Sequence, residues 1–469
     1  MTVSCAEKQK QPSALPEKQR QKQPSEFPQP HLNPLLLRRI NSHGFPRFMN
    51  QLQICCRNAE TQRLFQQIYF WDLIILDPET IHNFPEYFGQ DGIIWNRNPN
   101  AIILACFSGG DVILNYKQPI ITGFNNGLKP EWFLQDVKGK RVPMYHLKSG
   151  YWTFALNPST EVNTYLPNYL NENVIRTNAV DGIFYDWATT SISWINHDPP
   201  KGTAAIDIDA DGKEDSDRKV DRMWRQGYMT MLQNSRKIYP EGTLIVGNGG
   251  WNNGDEFSVI LNGLMMEQFM GGASAKPKSF GWGPIMRTYA YYQTKSLEPH
   301  MSIIMANDDN AQNTKKMRFA LGSALMFDGY FCFTNRTGAY KSARWYDEYS
   351  VDARSGRAEQ KLEYKGYLGR PLGPAFNVEK PSESLQSVLY SKPTKASSKA
   401  WRRDYENGIV LVNPDDETRT VKLNGSFRKI RGKMDPAFND GSVINEISLS
   451  PNSGAILLRA ASEIKAPAE

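Results

Sequence analysis

The chain has 469 residues, more than a single hydrophobic core usually serves, so two folded units are expected. Hydrophobic residues make up 40% and charged residues 22%, as in ordinary globular proteins. The net charge is +6, but residues 1–40 hold seven Lys or Arg against three Glu, so the remainder is nearly neutral. This distribution, together with the lack of nucleic-acid-binding motifs, argues against a nucleic-acid partner.

The sequence also argues against several other classes of protein. No apolar run approaches the roughly 20 residues of a membrane-spanning helix, so no membrane partner is expected. The N-terminus has no apolar signal-peptide core, which makes the cytoplasm the default compartment, with secretion the alternative if the start is misassigned. The chain contains no G-x-S-x-G turn and no phosphate-binding loop, which argues against a serine hydrolase or an NTPase. It also lacks the glycine-rich loop of a dinucleotide site, so no organic cofactor is expected. The oligomeric state is left open.

In chain order, residues 1–60 are too poor in apolar side chains to offset the entropy of ordering, which predicts a poorly ordered tail. Residues 61–370 alternate short apolar runs with segments of helical spacing. Eight such runs predict an α/β fold, the (β/α)8 TIM barrel, whose strands are buried on both faces. They are Ile68–Leu76, Ala101–Phe107, Val142–Leu147, Gly182–Tyr185, Thr243–Val246, Gly263–Met266, Met301–Met305 and Gly329–Phe333.

Two helices can be placed inside this region, and a second domain follows it. Apolar residues at helical spacing between Val220 and Leu232, and again over Lys315–Phe327, predict helices before the fifth and eighth strands. Residues 371–469 predict a C-terminal antiparallel β-sandwich, since short strands there alternate with turn dipeptides. Its strands are Ser387–Tyr390, Gly408–Val412, Thr418–Leu423, Ile444–Leu449 and Ala455–Leu458.

Two carboxylates, Asp186 and Glu267, come directly after predicted barrel strands 4 and 6. Parallel barrels carry their chemistry at the C-terminal ends of their strands, so both side chains are expected at one mouth. Glycosidases need such a pair, one to protonate the leaving oxygen and one to act as nucleophile or as base for water. The alternative interpretations are a helix N-cap for Asp186 and a barrel salt bridge for Glu267.

Further residues at the same strand ends are candidates for substrate binding. Polar side chains there can hydrogen-bond to sugar hydroxyls, and tryptophan faces can stack on sugar rings. A loop cap, or for the tryptophans a place in the core, is the alternative for each. The candidates are Asp111, Trp152, Trp187, Asn248, Trp251, Asp308 and Trp345, of which Asp308 is also the next choice as catalytic carboxylate.

A separate acidic motif follows Asp186. Residues 207–215 read D-x-D-x-D-G-x-x-D, which places Asp207, Asp209, Asp211 and Asp215 at the spacing of an EF-hand-like loop. Position 12 of that loop would be an arginine in this chain, so a structural Ca2+ loop fits better than a true EF-hand. The alternative is a solvated acidic loop.

Several stretches resemble a known family. Residues 151–163, 181–187, 261–269 and 345–349 resemble hypothetical glycosyl hydrolase family 15, and more distantly the α-galactosidase superfamily of barrels. The resemblance implies a (β/α)8 fold acting on carbohydrate, with Asp186 as nucleophile or base after strand 4 and Glu267 as acid/base after strand 6. We therefore expect a glycosidase acting on O-glycosyl bonds in an oligo- or polysaccharide. The alternatives are a non-catalytic carbohydrate-binding barrel and a scaffold whose aromatic residues only pack.

Overall fold

The computed structural model describes residues 33–52, 58–146, 150, 152–200, 202–249, 255–270, 281–310, 312–335 and 344–460. Its central feature is an eight-stranded parallel sheet in which each strand pairs with the next along the chain. The strands are β1 (Met49–Leu52), β2 (Leu73–Leu76), β3 (Ile102–Ser108), β4 (Gly182–Asp186), β5 (Leu244–Asn248), β6 (Gly263–Met266), β7 (Ile303–Asp308) and β8 (Tyr330–Asn335).

The sheet closes where β8 returns to β1. Phe48 and Phe331 form a parallel bridge, and the Phe331 N–H donates to the Arg47 carbonyl at 3.0 Å. The predicted (β/α)8 barrel is therefore confirmed.

The helices in chain order are α1 (Pro34–Ser42), α2 (Ala59–Ile68), α3 (Pro78–Asn83), α4 (Ile93–Arg97), α5 (Pro119–Asn126), α6 (Val162–Asn173), α7 (Trp194–His197), α8 (Asp217–Ile238), α9 (Trp282–Lys295), α10 (Thr314–Leu325), α11 (Leu385–Ser391) and α12 (Pro393–Ala396). The two helices predicted from periodicity are α8 and α10. No helix in the described ranges is long and apolar enough to cross a membrane.

Two of the strand predictions need correction. The run Val142–Leu147 does not contribute to the barrel: Pro143–His146 forms a small antiparallel sheet with Trp152–Ala155 and Asp111–Ile113, and Leu147 lies outside the described residues. The barrel instead gains β1, a short Met-Asn-Gln-Leu strand whose polar centre hides its burial from a search for apolar runs. Because one strand is lost and one gained before β4, Asp186 and Glu267 keep their predicted positions at strands 4 and 6.

The N-terminal side of the barrel is covered by α1, which lies within the segment that the sequence assigned to a tail. Leu36 and Ile40 of α1 pack into the apolar interior of the barrel. Arg39 pairs with Asp181, just before β4, at 2.6 Å. Residues 34–52 thus belong to the barrel unit, and composition missed them because α1 is a single short amphipathic helix beside a polar segment.

Strand alternation divides the barrel residues into an outer and an inner set. The inner set forms one apolar cluster, to which β1 contributes Met49, β4 contributes Phe184, β7 contributes Met305 and β8 contributes Cys332. In each strand, the side chain two residues after the last member of this cluster also faces inward, and it lies at the C-terminal mouth of the barrel. The chemistry of the mouth is therefore set by one residue from each strand.

The C-terminal domain is an antiparallel, sandwich-like β domain, as predicted. Its strands are β9 (Phe376–Asn377), β10 (Trp401–Asp404), β11 (Gly408–Asn413), β12 (Arg419–Lys429), β13 (Val443–Leu449) and β14 (Ser453–Leu458), in the order β9-β10-β11-β14-β12-β13. Residues Ser387–Tyr390, predicted as a strand, lie in α11 instead, where Ser384 caps the helix and Leu385, Val388 and Leu389 are buried at helical spacing.

The barrel and the C-terminal domain are joined through α10. Arg318 of α10 is buried and forms ion pairs with Glu348 at 3.3 Å and with Asp435 at 2.7 Å. Gly322 of the same helix packs directly against Val412 of β11. These contacts lie on the outer side of the barrel, so the domain supports the barrel wall.

Candidate active site

Asp186 is the last residue of β4, and its carboxylate is held at the barrel mouth by two hydrogen bonds to one oxygen. The Trp187 backbone N–H donates to Oδ1 at 2.9 Å, and Nδ2 of Asn248 donates to the same atom at 2.9 Å. Trp187 has a left-handed backbone, φ 57°, which turns the chain sharply at the end of the strand. The carboxylate is thereby fixed in orientation, with Oδ2 on the side away from both donors.

Glu267 directly follows β6 and shares the same donor. Nδ2 of Asn248 also donates to Oε2 of Glu267 at 2.9 Å, so one amide nitrogen bridges the two carboxylates. In ideal geometry the two N–H bonds of an amide diverge by about 120°, and oxygens 2.9 Å from the nitrogen along these bonds are about 5 Å apart. The pair therefore faces one space at the mouth. The predicted role of Asn248 was a contact with sugar, and its position between the carboxylates was not foreseen.

The surroundings of Asp186 favour its protonated form. Burial, the negative charge of Glu267 and that of Asp111 together raise the pKa of Asp186 to about 7, against the opposing effect of the Asn248 and Trp187 hydrogen bonds. A carboxyl group that titrates near neutral pH, next to a second carboxylate, is the arrangement that acid–base catalysis requires. Acid–base chemistry is what this pair can do.

Asp111, three residues after the end of β3, is 3% exposed. Ser108 donates a short hydrogen bond to its carboxylate, and the Tyr145 hydroxyl is a further partner. Burial raises the pKa of Asp111 against these hydrogen bonds. Tyr145 also accepts a hydrogen bond from Nε1 of Trp187 at 3.3 Å, which links Asp111 to the residue that orients Asp186. Asp111 is thus connected to Asp186 through Tyr145 and Trp187.

The predicted tryptophans are in different environments. Trp187 stacks on Tyr145, with ring centroids 5.8 Å apart, and on Trp194 at 6.0 Å, forming a short aromatic wall beside Asp186. Trp152 is 42% exposed, but its side chain lies on the face of its strand opposite to Thr153, which is on the Asp111 side.

The other two predicted tryptophans are Trp345 and Trp251. Trp345 is half-buried and donates to Ser350 at 2.9 Å. Trp251 lies outside the described residues.

Asp308, at the end of β7, is occupied by local contacts. Its carboxylate accepts hydrogen bonds from the Asn310 N–H at 2.8 Å and from Asn313 at 3.2 Å, and it pairs with Lys316 at 3.2 Å. Although burial acts in the other direction, these donors hold the pKa of Asp308 below its usual range. Such a carboxylate holds a turn and an ion pair, which weakens its case as a nucleophile.

Several residues of the mouth were not predicted from the sequence. Tyr145 and Trp194 are in segments that the sequence gave no reason to bring near Asp186. Gln51 was missed because β1 was missed. The signal that could have found it is the pair of amides Asn50-Gln51 between apolar residues, a pattern that suits a barrel strand end.

The acidic motif forms a compact loop after the short strand Ile206–Asp207. Carboxylate oxygens of Asp207, Asp209 and Asp215 lie within 4.8 Å of one another, whereas Asp211 is outside this group. The Lys219 ammonium lies 2.6 Å from Asp209 and 2.5 Å from Asp215. A positive charge is therefore already present where a cation would bind, and Ca2+ would have to displace it.

Sequence comparison supplies the family. Residues 113–409, well over half of the chain, match hypothetical glycosyl hydrolase family 15. The chain belongs to this family. No curated protein shows significant sequence similarity to it.

Several solved structures are similar to this family member at low identity. They include a noncanonic maltogenic alpha-amylase, AmyB, from Thermotoga neapolitana, with 9% identity, a TM-score of 0.42, and coverage of 88% of this chain and 98% of that chain. A GH31-family sulfoquinovosidase from E. rectale has 9% identity, a TM-score of 0.44, and coverage of 92% and 63%. The GH36 α-galactosidase AgaB from Geobacillus stearothermophilus has 11% identity, a TM-score of 0.38, and coverage of 88% and 55%.

The raised pKa of Asp186 predicts that Asp186→Asn stabilises this glycosyl hydrolase family member at alkaline pH. The folded protein retains a proton up to about pH 7 that the unfolded chain releases near pH 4, so Asp186 lowers stability progressively as pH rises through that window. Asparagine keeps the acceptor oxygen and removes the charge. We expect the free energy of unfolding at pH 8 to rise by about 2–4 kcal/mol, with little change at pH 4.

Asp308→Asn is the matched control in the same denaturation experiment. The pKa of Asp308 is lowered in the folded protein, so its charge contributes stability above pH 4, and the variant should lose about 1 kcal/mol at pH 8. If both substitutions lowered the free energy of unfolding equally, the charged form of Asp186 would stabilise the fold, and the raised pKa of Asp186 would be contradicted.

Ca2+ binding by the acidic loop stays a prediction, and Lys219 provides its test. Because the ammonium and the ion compete for Asp209 and Asp215, Ca2+ should raise the melting temperature of Lys219→Ala by more than that of the unaltered protein, and EDTA should reverse the rise. Asp207→Asn is expected to abolish the effect. If Ca2+ changes neither melting temperature, the loop is held by Lys219 alone.

Proposed function

We propose that the protein is a retaining glycoside hydrolase that cleaves O-glycosyl bonds in an oligo- or polysaccharide, with Asp186 as nucleophile and Glu267 as acid/base. The single observation that carries this proposal is the Asn248 amide that bridges the two carboxylates. Retaining glycosidases hold their carboxyl groups about 5–5.5 Å apart, whereas inverting enzymes leave about 6.5–9.5 Å for a water molecule. The roughly 5 Å set by a shared amide supports retention.

The hydrogen bonds support this division of roles. Two donors hold one oxygen of Asp186, the backbone N–H of Trp187 and the side chain of Asn248, and both favour the carboxylate form. A nucleophile must be ionised and fixed in direction. The negative charge of Glu267 is one cause of the raised pKa of Asp186, so a proton on Glu267 favours ionisation of Asp186. Asp186 has the ionised form that a nucleophile needs above about pH 7.

The reaction proceeds in two steps. In the first, Asp186 attacks the anomeric carbon while Glu267 gives its proton to the glycosidic oxygen, so the C–O bond to the leaving group breaks and a glycosyl ester of Asp186 forms. In the second, Glu267 takes a proton from water, whose oxygen attacks the anomeric carbon and releases Asp186. Each step inverts the anomeric carbon, and the two together retain its configuration.

Removing either carboxylate tests the assignment. On an aryl glycoside or polysaccharide that the unaltered protein hydrolyses, Asp186→Ala and Glu267→Ala should each lower kcat/KM by ~10³-fold or more. Sodium azide can enter the space left by Asp186, so it should restore turnover of Asp186→Ala and give a glycosyl azide of inverted configuration. With Glu267→Ala, azide should give the glycosyl azide of retained configuration. Substrates with activated leaving groups should show the smallest loss of kcat/KM, because they need less protonation.

Asp308→Ala is the control for this series and should keep most of the activity, because its carboxylate is engaged by Asn310 and Lys316. If Asp186→Ala gave the retained azide and Glu267→Ala gave the inverted azide, Glu267 would be the nucleophile and Asp186 the acid/base. A protein that binds glycans but hydrolyses none, with or without these substitutions, would instead be the non-catalytic carbohydrate-binding barrel.

A further inference from the structure

Beside and across from the carboxylate pair, three adjacent strands end in uncharged polar residues that face the barrel mouth. Gln51 of β1, Asn307 of β7 and Thr334 of β8 each follow, at a spacing of two, a member of the apolar interior cluster. Asn307 and Thr334 are direct neighbours in the β7–β8 pairing. In the closed barrel β7 is the neighbour of β6, whereas β8 lies across from β4 and β1 lies across from β5. These residues thus continue the rim of the mouth from the Glu267 side to the side across from Asp186.

Within the described ranges, each of the three has a buried oxygen that finds no hydrogen-bond partner. Gln51, Asn307 and Thr334 are 5%, 4% and 6% exposed, and Oε1, Oδ1 and Oγ1 respectively are unpaired. The Gln51 amide is held on its nitrogen side, where Nε2 contacts Sγ of Cys106 at 3.8 Å. An unpaired buried polar group costs about 1–3 kcal/mol, and native proteins rarely leave one without a functional reason.

A buried asparagine elsewhere in the barrel has its oxygen fully paired. Asn262 is 2% exposed, and its Oδ1 accepts from the Ile245 N–H at 2.9 Å and from Arg236 at 2.8 Å. It precedes β6, away from the mouth. Other buried oxygens in the described part of the chain, such as those of Asn125 and Asn171, are also unpaired. What distinguishes Gln51, Asn307 and Thr334 is that all three lie on adjacent strand ends at the mouth that holds Asp186 and Glu267, and this grouping points to a ligand.

We propose that Gln51, Asn307 and Thr334 bind the hydroxyl groups of an uncharged sugar unit held against Asp186 and Glu267. Amide and hydroxyl oxygens accept hydrogen bonds, and sugar hydroxyls donate them, so one pyranose ring can satisfy all three atoms. This inference rests on the proposed glycosidase function of the same mouth and names its substrate class.

The charge at the strand ends selects against acidic sugars. The eight inward-facing positions at these ends include three carboxylates, Asp77, Asp186 and Glu267, and none of the eight is a lysine, arginine or histidine. A uronate or a sulfonated sugar placed there would meet negative charge in a partly buried site, where repulsion is poorly screened. The sugar unit at the cleavage position is therefore neutral.

Apolar replacements of similar shape separate this role from a structural one. Thr334→Val, Asn307→Leu and Gln51→Met each remove an oxygen that the protein itself does not pair, so the melting temperature should stay the same or rise. Asn262→Leu is the matched control and should lower the melting temperature by several degrees, because it leaves the buried Ile245 N–H without its side-chain acceptor and removes one of the acceptors of Arg236.

Sugar binding by the full-length chain tests the inference itself. Calorimetric titration with D-glucose, D-galactose, D-mannose and D-xylose should reveal at least one ligand, whose affinity falls tenfold or more in each of the three variants. D-Glucuronate and D-galacturonate should bind at least tenfold more weakly than the best neutral sugar. The inference is overturned if no neutral sugar binds, if the three variants bind like the unaltered protein, or if a uronate binds best.

Sugar binding and hydrolysis test the inference and the proposed function separately. Neutral-sugar binding that depends on Gln51, Asn307 and Thr334 supports the inference even if Asp186→Ala leaves hydrolysis unchanged. Hydrolysis that needs Asp186 and Glu267 supports the proposed function even if the three variants bind sugar normally.

Discussion

One amide nitrogen, Nδ2 of Asn248, holds two carboxylates of like charge at the mouth of the barrel. Without a donor between them, Asp186 and Glu267 would repel each other in a partly buried place where water screens poorly. The strand pairing makes the bridge possible: Gly247 of β5 is level with Tyr185 of β4, and Asn248 is level with Met265 of β6. The distance between the carboxylates is thus a consequence of backbone register, and a one-residue shift of β5 would turn the amide out of the mouth.

The rest of the barrel isolates this pair. Below it, the inward side chains are apolar and close the interior toward α1, whose Leu36 and Ile40 seal the N-terminal side. Around it, Asp111 is buried and Tyr145 is partly buried, and Tyr145 links Asp111 to Trp187. The cost is visible in the pKa of Asp186, which burial and the neighbouring carboxylates raise to about 7. Such a loss of stability is common at functional sites.

The sequence could predict the barrel and place Asp186 and Glu267 at the ends of its fourth and sixth strands, because buried parallel strands are long apolar runs that end abruptly. It could not find β1, whose centre is Asn-Gln, since the polar residues that serve the mouth remove the apolar signal of the strand. It also could not find contacts between residues far apart in the chain, such as Asn248 with Glu267 or Tyr145 with Trp187. Those depend on register and on turns, which local pattern does not specify.

The anomeric configuration of the first product tests the central claim most directly, because it reports the separation of the two carboxylates in the working enzyme. Proton NMR of a hydrolysis reaction, recorded before the released sugar mutarotates, distinguishes the two outcomes. A pair bridged by Asn248 at about 5 Å predicts a product with the same anomeric configuration as the substrate. A product of inverted configuration would show that water attacks between more widely spaced carboxylates, and would contradict the account.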